Sequence, residues 1–185
     1  ILFPMILTIV MSGKLISRYV DRGSMAYLLS SPVRRSVIAG TQAAFTVLSF
    51  ALLFGLVSLS GYLICEAGFP GELEADKYWM LNAMAFVLFM AITGISFFAS
   101  CSFDDAKASS MLGSGLPLAF YVIHMLSNVS ERLAWLKNLT IFSFYDVDRI
   151  MAGEPTLAGG LALMAIAVCC YAAGIAIFSR RDIVL

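Results

Sequence analysis

An amphipathic segment over residues 21–35 carries the side chains best suited to binding a partner. Gly23 permits a sharp turn at its start, and Asp21 or Ser24 suits the N-cap of a short helix. Apolar side chains then recur at the i, i+3, i+4, i+7 spacing of one helix face, at Met25, Leu28, Leu29 and Pro32. The pattern predicts a short helix whose apolar face either docks on a protein or lies on lipid, and the spacing alone favours neither.

Polar side chains within otherwise apolar runs are the candidates for a substrate path, because such groups in a bilayer usually face a helix interface or a cavity. For the single histidine we favour an interhelical hydrogen bond, and a pH-linked role in transport is the alternative. Ser109 and Gly113 form a small-x-x-x-small pair, which predicts a packing face between helices. The path candidates are Gln42, Thr46, Asn82, Thr93, Tyr121, His124 and Asn128.

The sequence has no pattern typical of catalysis, of a bound cofactor or of a metal site. It contains one histidine, and it lacks the H-E-x-x-H, G-x-S-x-G and G-x-x-x-x-G-K-[ST] motifs. Its four cysteines show neither C-x-x-C nor Cys/His spacing. We therefore expect no catalytic, cofactor-binding or metal-ligating residues in this chain, and no enzymatic activity.

The elements that must position these residues are five apolar runs. Hydrophobic residues make up 61% of the chain and charged residues 13%, against about 25% charged residues in soluble domains. A membrane helix needs about 20 apolar residues, and the fourth run is short, so we expect it to begin near Ala108 and to bend at Pro117. The runs cover residues 1–15, 37–64, 79–100, 111–127 and 157–178.

This pattern predicts an all-α integral membrane protein, a polytopic bundle with five membrane helices in a single domain over residues 1–185. Because Ile1 lies inside an apolar run, we expect the natural protein to continue before it. Tyr62, Tyr78 and Trp79 flank one loop, and aromatic side chains of this kind are typical of the membrane–water interface. The loop of about residues 128–156 on that side is too apolar for free solution, and it predicts short helices on or in the outer leaflet.

The distribution of basic residues predicts the orientation of the chain. Eight of the 12 lysines and arginines fall in the segments on one side of the predicted membrane. The positive-inside rule then makes the Arg34 loop and the C-terminus cytoplasmic. These eight are Lys14, Arg18, Arg22, Arg34, Arg35, Lys107, Arg180 and Arg181.

Residues 23–35, GSMAYLLSSPVRR, resemble the segment after the second membrane helix of ABC-2 type permeases, the transmembrane subunits of one class of ABC transporter. Two weaker resemblances accompany it, in residues 139–146, LTIFSFYD, with Gly153 downstream, and in the C-terminal residues 178–185, FSRRDIVL. Ser24 stands where the family usually has threonine, and Ala26 where an acidic residue is common. The resemblance spans essentially the whole chain.

The resemblance implies helices two to six of a six-helix exporter subunit in a bacterial plasma (inner) membrane, working by alternating access. ATP and Mg would be bound by a separate ATPase subunit, and a second permease copy or a homologous permease would complete the transporter. Residues of about 18–36 would then be the coupling segment that docks on the ATPase. Leu28, Leu29 and Pro32 would fill its groove, flanked by Asp21 and Arg35, with Gly23 at the turn.

Two other functions stay open beside the permease. One is a membrane anchor or sensor of the same fold that moves no substrate, and the other is an intramembrane enzyme. The residues fit a drug, a peptide, a lipid-linked sugar or an ion as substrate, and they leave homodimer and heterodimer equally open.

Overall fold

The computed structural model describes residues 35–71, 73–103, 106–128, 135–136, 140–152 and 156–180. Over these ranges the chain is helical and contains no strand, which confirms the all-α prediction. The elements are α1 (Arg35–Gly68), α2 (Ala75–Ser102), α3 (Ala106–Ser127), a 3₁₀-helix (Ile141–Phe144), α4 (Val147–Met151) and α5 (Leu157–Arg180).

Three of these helices are long and apolar enough to cross a membrane: Ala39–Gly68, Ala75–Ser102 and Leu157–Ser179. They correspond to the second, third and fifth predicted runs, and they make the chain a membrane-embedded helical protein. The fourth run is a helix that begins at Ala106 and continues through Pro117, but its apolar part, Met111–Ser127, is shorter. The first predicted run, residues 1–15, lies outside the described residues.

Helix α2 is the centre of the bundle, where it packs against α1, α3, α4 and α5. Its contact with α5 is close because each helix offers a glycine to the other. A Cβ atom added at Gly94 would lie 3.2 Å from the Ala167 carbonyl oxygen, and one added at Gly174 would lie 3.0 Å from the ring of Phe97. Small residues that let helix backbones approach are the usual basis of packing within a bilayer.

Helix α1 buries only a narrow stripe against this centre. Ala39, Ala43, Thr46 and Phe50 are buried, at spacings of four, three and four residues. Many of its large apolar side chains lie outside this stripe and are exposed, with Leu48 at 69% and Leu52 at 63% exposure. A continuous apolar surface of this kind needs lipid or another membrane helix to cover it.

The connection between α3 and α5 forms the predicted short helices in its described part. The 3₁₀-helix and α4 pack on the bundle at its loop end, by which we mean the end where α1 and α3 finish and α2 and α5 begin. Phe142, Tyr145 and Ile150 are buried there, with Phe142 only 1% exposed. The segment is therefore part of the core rather than a surface loop.

Candidate functional site

The predicted coupling residues lie at the edge of the structure. Asp21, Gly23, Leu28, Leu29 and Pro32 fall outside the described residues, so their role stays a prediction. Arg35 is the first described residue, and it lies in α1.

A polar cluster joins α1 to α2 near the loop end. The Ser58 hydroxyl donates to Asn82 Oδ1 at 2.9 Å, and Asn82 Nδ2 donates to the Tyr78 carbonyl at 2.9 Å. The Tyr78 hydroxyl in turn donates to the Ser58 carbonyl at 2.7 Å. Asn82 therefore forms an interhelical contact. Its amide oxygen accepts from α1, and its amide nitrogen donates to the backbone of its own helix, α2.

A cavity of about 320 Å³ opens beside this cluster. Leu73, Leu81 and Met151 supply its apolar walls, and Tyr78 and Asn82 line it from α2. Glu74 and Lys77 also line it. Of the predicted path residues, Asn82 is the one that lines this cavity.

Tyr121 and His124 meet at a single aromatic side chain. Their rings each have a centroid 5.7 Å from that of Phe142, which is buried in the 3₁₀-helix. The Ser127 hydroxyl donates to the His124 carbonyl at 2.6 Å, within the last turn of α3. Burial raises the pKa of the nearby Tyr145 phenol, so that group stays protonated at neutral pH. The predicted residues Tyr121 and His124 thus share one contact at the loop end.

The remaining path candidates lie elsewhere. Thr46 donates to the Gln42 carbonyl at 2.8 Å within α1, near the end opposite the cavity. Asn128 is exposed just after α3. The structure therefore brings Tyr121 and His124 to the same ring and places Gln42 and Thr46 on a different helix, and a substrate path through these residues stays a prediction.

Two polar contacts between helices could not be predicted as pairs from the sequence, although Thr93 was one of the path candidates. The Ser96 hydroxyl donates at 2.6 Å to the carbonyl of Gly113, four residues before Pro117. Proline has no N–H, so this carbonyl cannot make its usual helix bond, and Ser96 satisfies it from α2. The Tyr171 hydroxyl donates to Thr93 Oγ1 at 2.9 Å between α5 and α2. Pro117 signals from the sequence that a donor is required, but it does not identify Ser96.

Ser96→Ala is expected to lower the free energy of unfolding by about 1 to 2 kcal/mol, because it leaves the Gly113 carbonyl without its donor in a dry interface. In a Pro117→Ala background the new backbone N–H at position 117 restores the helix bond, and the same substitution should cost less than half as much. Unfolding of the four proteins in mixed micelles measures this coupling. Equal costs in both backgrounds would contradict the role assigned to Ser96.

The described residues contain no group of three or more His, Cys, Asp or Glu side chains that could hold a metal ion. Comparisons with protein-family models, with curated proteins and with solved structures found no match for this chain. The functional assignment therefore depends on the chain's own residues.

Proposed function

We propose that this chain is the permease subunit of an ATP-driven ABC transporter of the ABC-2 type, working as an exporter by alternating access. The observation that supports this most is α1 itself, the long apolar helix that follows the motif in the chain. The described helix covers 34 residues, Arg35–Gly68, and Arg35 is also the last residue of the motif. At 1.5 Å per residue a helix of this length measures about 51 Å, which is more than the hydrocarbon thickness.

Such a helix transmits a push along its axis, because every backbone hydrogen bond within it resists compression. ATP and Mg are bound by the separate ATPase subunit, and closure of that subunit displaces the apolar knob formed by Leu28, Leu29 and Pro32. Asp21 and Arg35 flank the knob, and Gly23 lets the chain turn into it. Because α1 packs on α2 and α5, its displacement moves the centre of the bundle.

A second permease subunit, either identical or homologous, completes the transporter in this proposal. The wide exposed apolar face of α1, including Phe45, Leu48 and Leu52, is compatible with lipid or with that subunit. Charge distribution favours a cytoplasmic Arg34 loop and C-terminus in a bacterial plasma membrane. With that orientation the loop end faces outward, and Tyr121, His124 and Phe142 lie near the outer exit of a substrate path.

Replacement of Leu28 and Leu29 by Asp tests the docking. The double variant is expected to reduce the ATPase recovered with the tagged, full-length protein by roughly tenfold or more, because two apolar anchors become charged in a desolvated groove. Purification from native membranes in mild detergent, followed by mass spectrometry, measures the recovery. Membrane levels of each variant are measured in parallel.

The matched control is Phe69→Asp, which makes the same kind of change at the other end of α1, where the side chain is 65% exposed. It should leave the ATPase recovery unchanged. If wild type recovers no ATPase, the permease proposal fails and the anchor or sensor moves ahead. Turnover of a substrate without any ATPase partner would instead favour the intramembrane enzyme.

A further inference from the structure

The cavity beside α2 has the size and walls of a small ligand site. Its volume of about 320 Å³ lies at the lower end of the roughly 300–1,000 Å³ that small-molecule sites occupy. Leu73 comes from the α1–α2 connection, Leu81 from α2 and Met151 from α4. Three separate parts of the chain thus build one largely apolar groove.

Two opposite charges lie together among the residues that line the groove. Lys77 Nζ lies 2.6 Å from Glu74 Oε2, and the two side chains are 38% and 68% exposed. An ion pair this exposed contributes little to stability, so both partners can exchange it for charges on a ligand at small cost. Because the pair is neutral as a whole, it suits a ligand that carries one positive and one negative charge. A purely anionic ligand is repelled by the Glu74 carboxylate.

The groove lies beside an aromatic cluster. Tyr62, Tyr78 and Trp79 have ring centroids 5.7 to 5.8 Å apart, and Tyr78 also lines the cavity. Clusters of tyrosine and tryptophan at the ends of apolar helices mark the headgroup level of a bilayer. A ligand in this groove therefore lies beside phospholipid headgroups.

Asn82 adds a polar group one turn further along α2. Its amide carries two N–H donors, one of which bonds the Tyr78 carbonyl. The second N–H can donate to an ester carbonyl, the group that lies directly below a phosphate in a phospholipid. Charged, amide and apolar groups, the three kinds of partner that a phospholipid requires, therefore all line this one groove.

We propose that this cavity binds one zwitterionic phospholipid with a primary ammonium headgroup, of the phosphatidylethanolamine type, from the leaflet at the loop end. Lys77 binds the phosphate, Glu74 accepts from the ammonium, and Asn82 donates to an ester carbonyl. An acyl chain runs along Leu81 and Met151. This site is separate from the coupling segment, and it requires neither an ATPase nor transport.

Native mass spectrometry of the delipidated full-length protein tests the site. The protein is titrated with dioleoyl-phosphatidylethanolamine and dioleoyl-phosphatidylglycerol, which share acyl chains and differ in headgroup. Wild type is expected to bind the ethanolamine lipid about fivefold more tightly. Glu74→Gln should abolish that preference because it removes the carboxylate that accepts from the ammonium. Lys77→Gln should lower the affinity for both lipids.

Asp76→Asn is the matched control. It neutralises a carboxylate two residues from Glu74, in the first turn of α2, and Asp76 does not line the cavity. It should bind both lipids as wild type does. Leu81→Trp fills the groove and should lower the affinity for both lipids. If that variant fails to fold, the smaller Leu81→Phe is measured in its place. Equal binding of the two lipids by wild type, or a preference that survives Glu74→Gln, would overturn the proposal. So would unchanged binding after the groove is filled.

Discussion

Gly94→Val is expected to lower the free energy of unfolding by about 3 kcal/mol, because it adds a branched side chain where two helices already touch. A Cβ atom at this position would lie 3.2 Å from the Ala167 carbonyl oxygen and 3.4 Å from the Ala167 Cα. Both are backbone atoms, so no rotamer change relieves the contact and α5 must move away from α2. The interface between these two helices includes the Tyr171–Thr93 hydrogen bond, which that movement would also stretch.

The measurement is unfolding of purified protein in mixed micelles, followed by circular dichroism. Gly55→Val is the matched control, because a Cβ there meets no atom of the described residues within 4 Å. It makes the same chemical change in a membrane helix but should alter the free energy of unfolding by less than about 0.5 kcal/mol. A loss of similar size in both variants would mean that helix propensity, rather than the α2–α5 contact, sets the cost.

Phe142→Ala is expected to cost about 3 to 5 kcal/mol, the usual range for removing a fully buried phenylalanine. The side chain is 1% exposed and holds the 3₁₀-helix against the bundle. It is also the shared contact of Tyr121 and His124. Loss of this ring should therefore both destabilise the protein and loosen the loop end, which amide hydrogen exchange at residues 140–152 would report.

Phe144→Ala separates burial from simple loss of an aromatic ring. Phe144 belongs to the same 3₁₀-helix but is 40% exposed, so its removal should cost less than half as much. Equal costs for the two variants, or unchanged exchange in Phe142→Ala, would show that the segment is not anchored by Phe142.

The long helices could be predicted from the sequence because length and apolarity alone determine them. The predicted runs 37–64, 79–100 and 157–178 correspond to α1, α2 and α5. The outcome at Pro117 could not be predicted in the same way. Helix α3 continues through Pro117, and the carbonyl that proline leaves without its helix bond accepts a hydrogen bond from Ser96 on another helix. That contact depends on the register between α2 and α3, which no local pattern specifies.

The candidate site was predicted only in part, for a similar reason. Asn82 stood out as a polar residue in an apolar run, but its partner Ser58 lies 24 residues away on α1. The cavity could not be predicted, since Met151 reaches it from a short helix after α3. Apolar residues in the connection from 128 to 156 predicted short helices on or in the outer leaflet, yet nothing in the pattern singled out Phe142 as a residue buried in the bundle.

Photo-crosslinking from the coupling segment in living cells tests the proposed function most directly. A benzoylphenylalanine is placed at Leu29 or, as control, at Phe69 at the other end of α1, and adducts are identified by mass spectrometry after irradiation. The permease proposal predicts an adduct between position 29 and an ABC-type ATPase subunit, and none from position 69. No ATPase adduct from position 29, or equal adducts from both positions, would contradict docking by this segment.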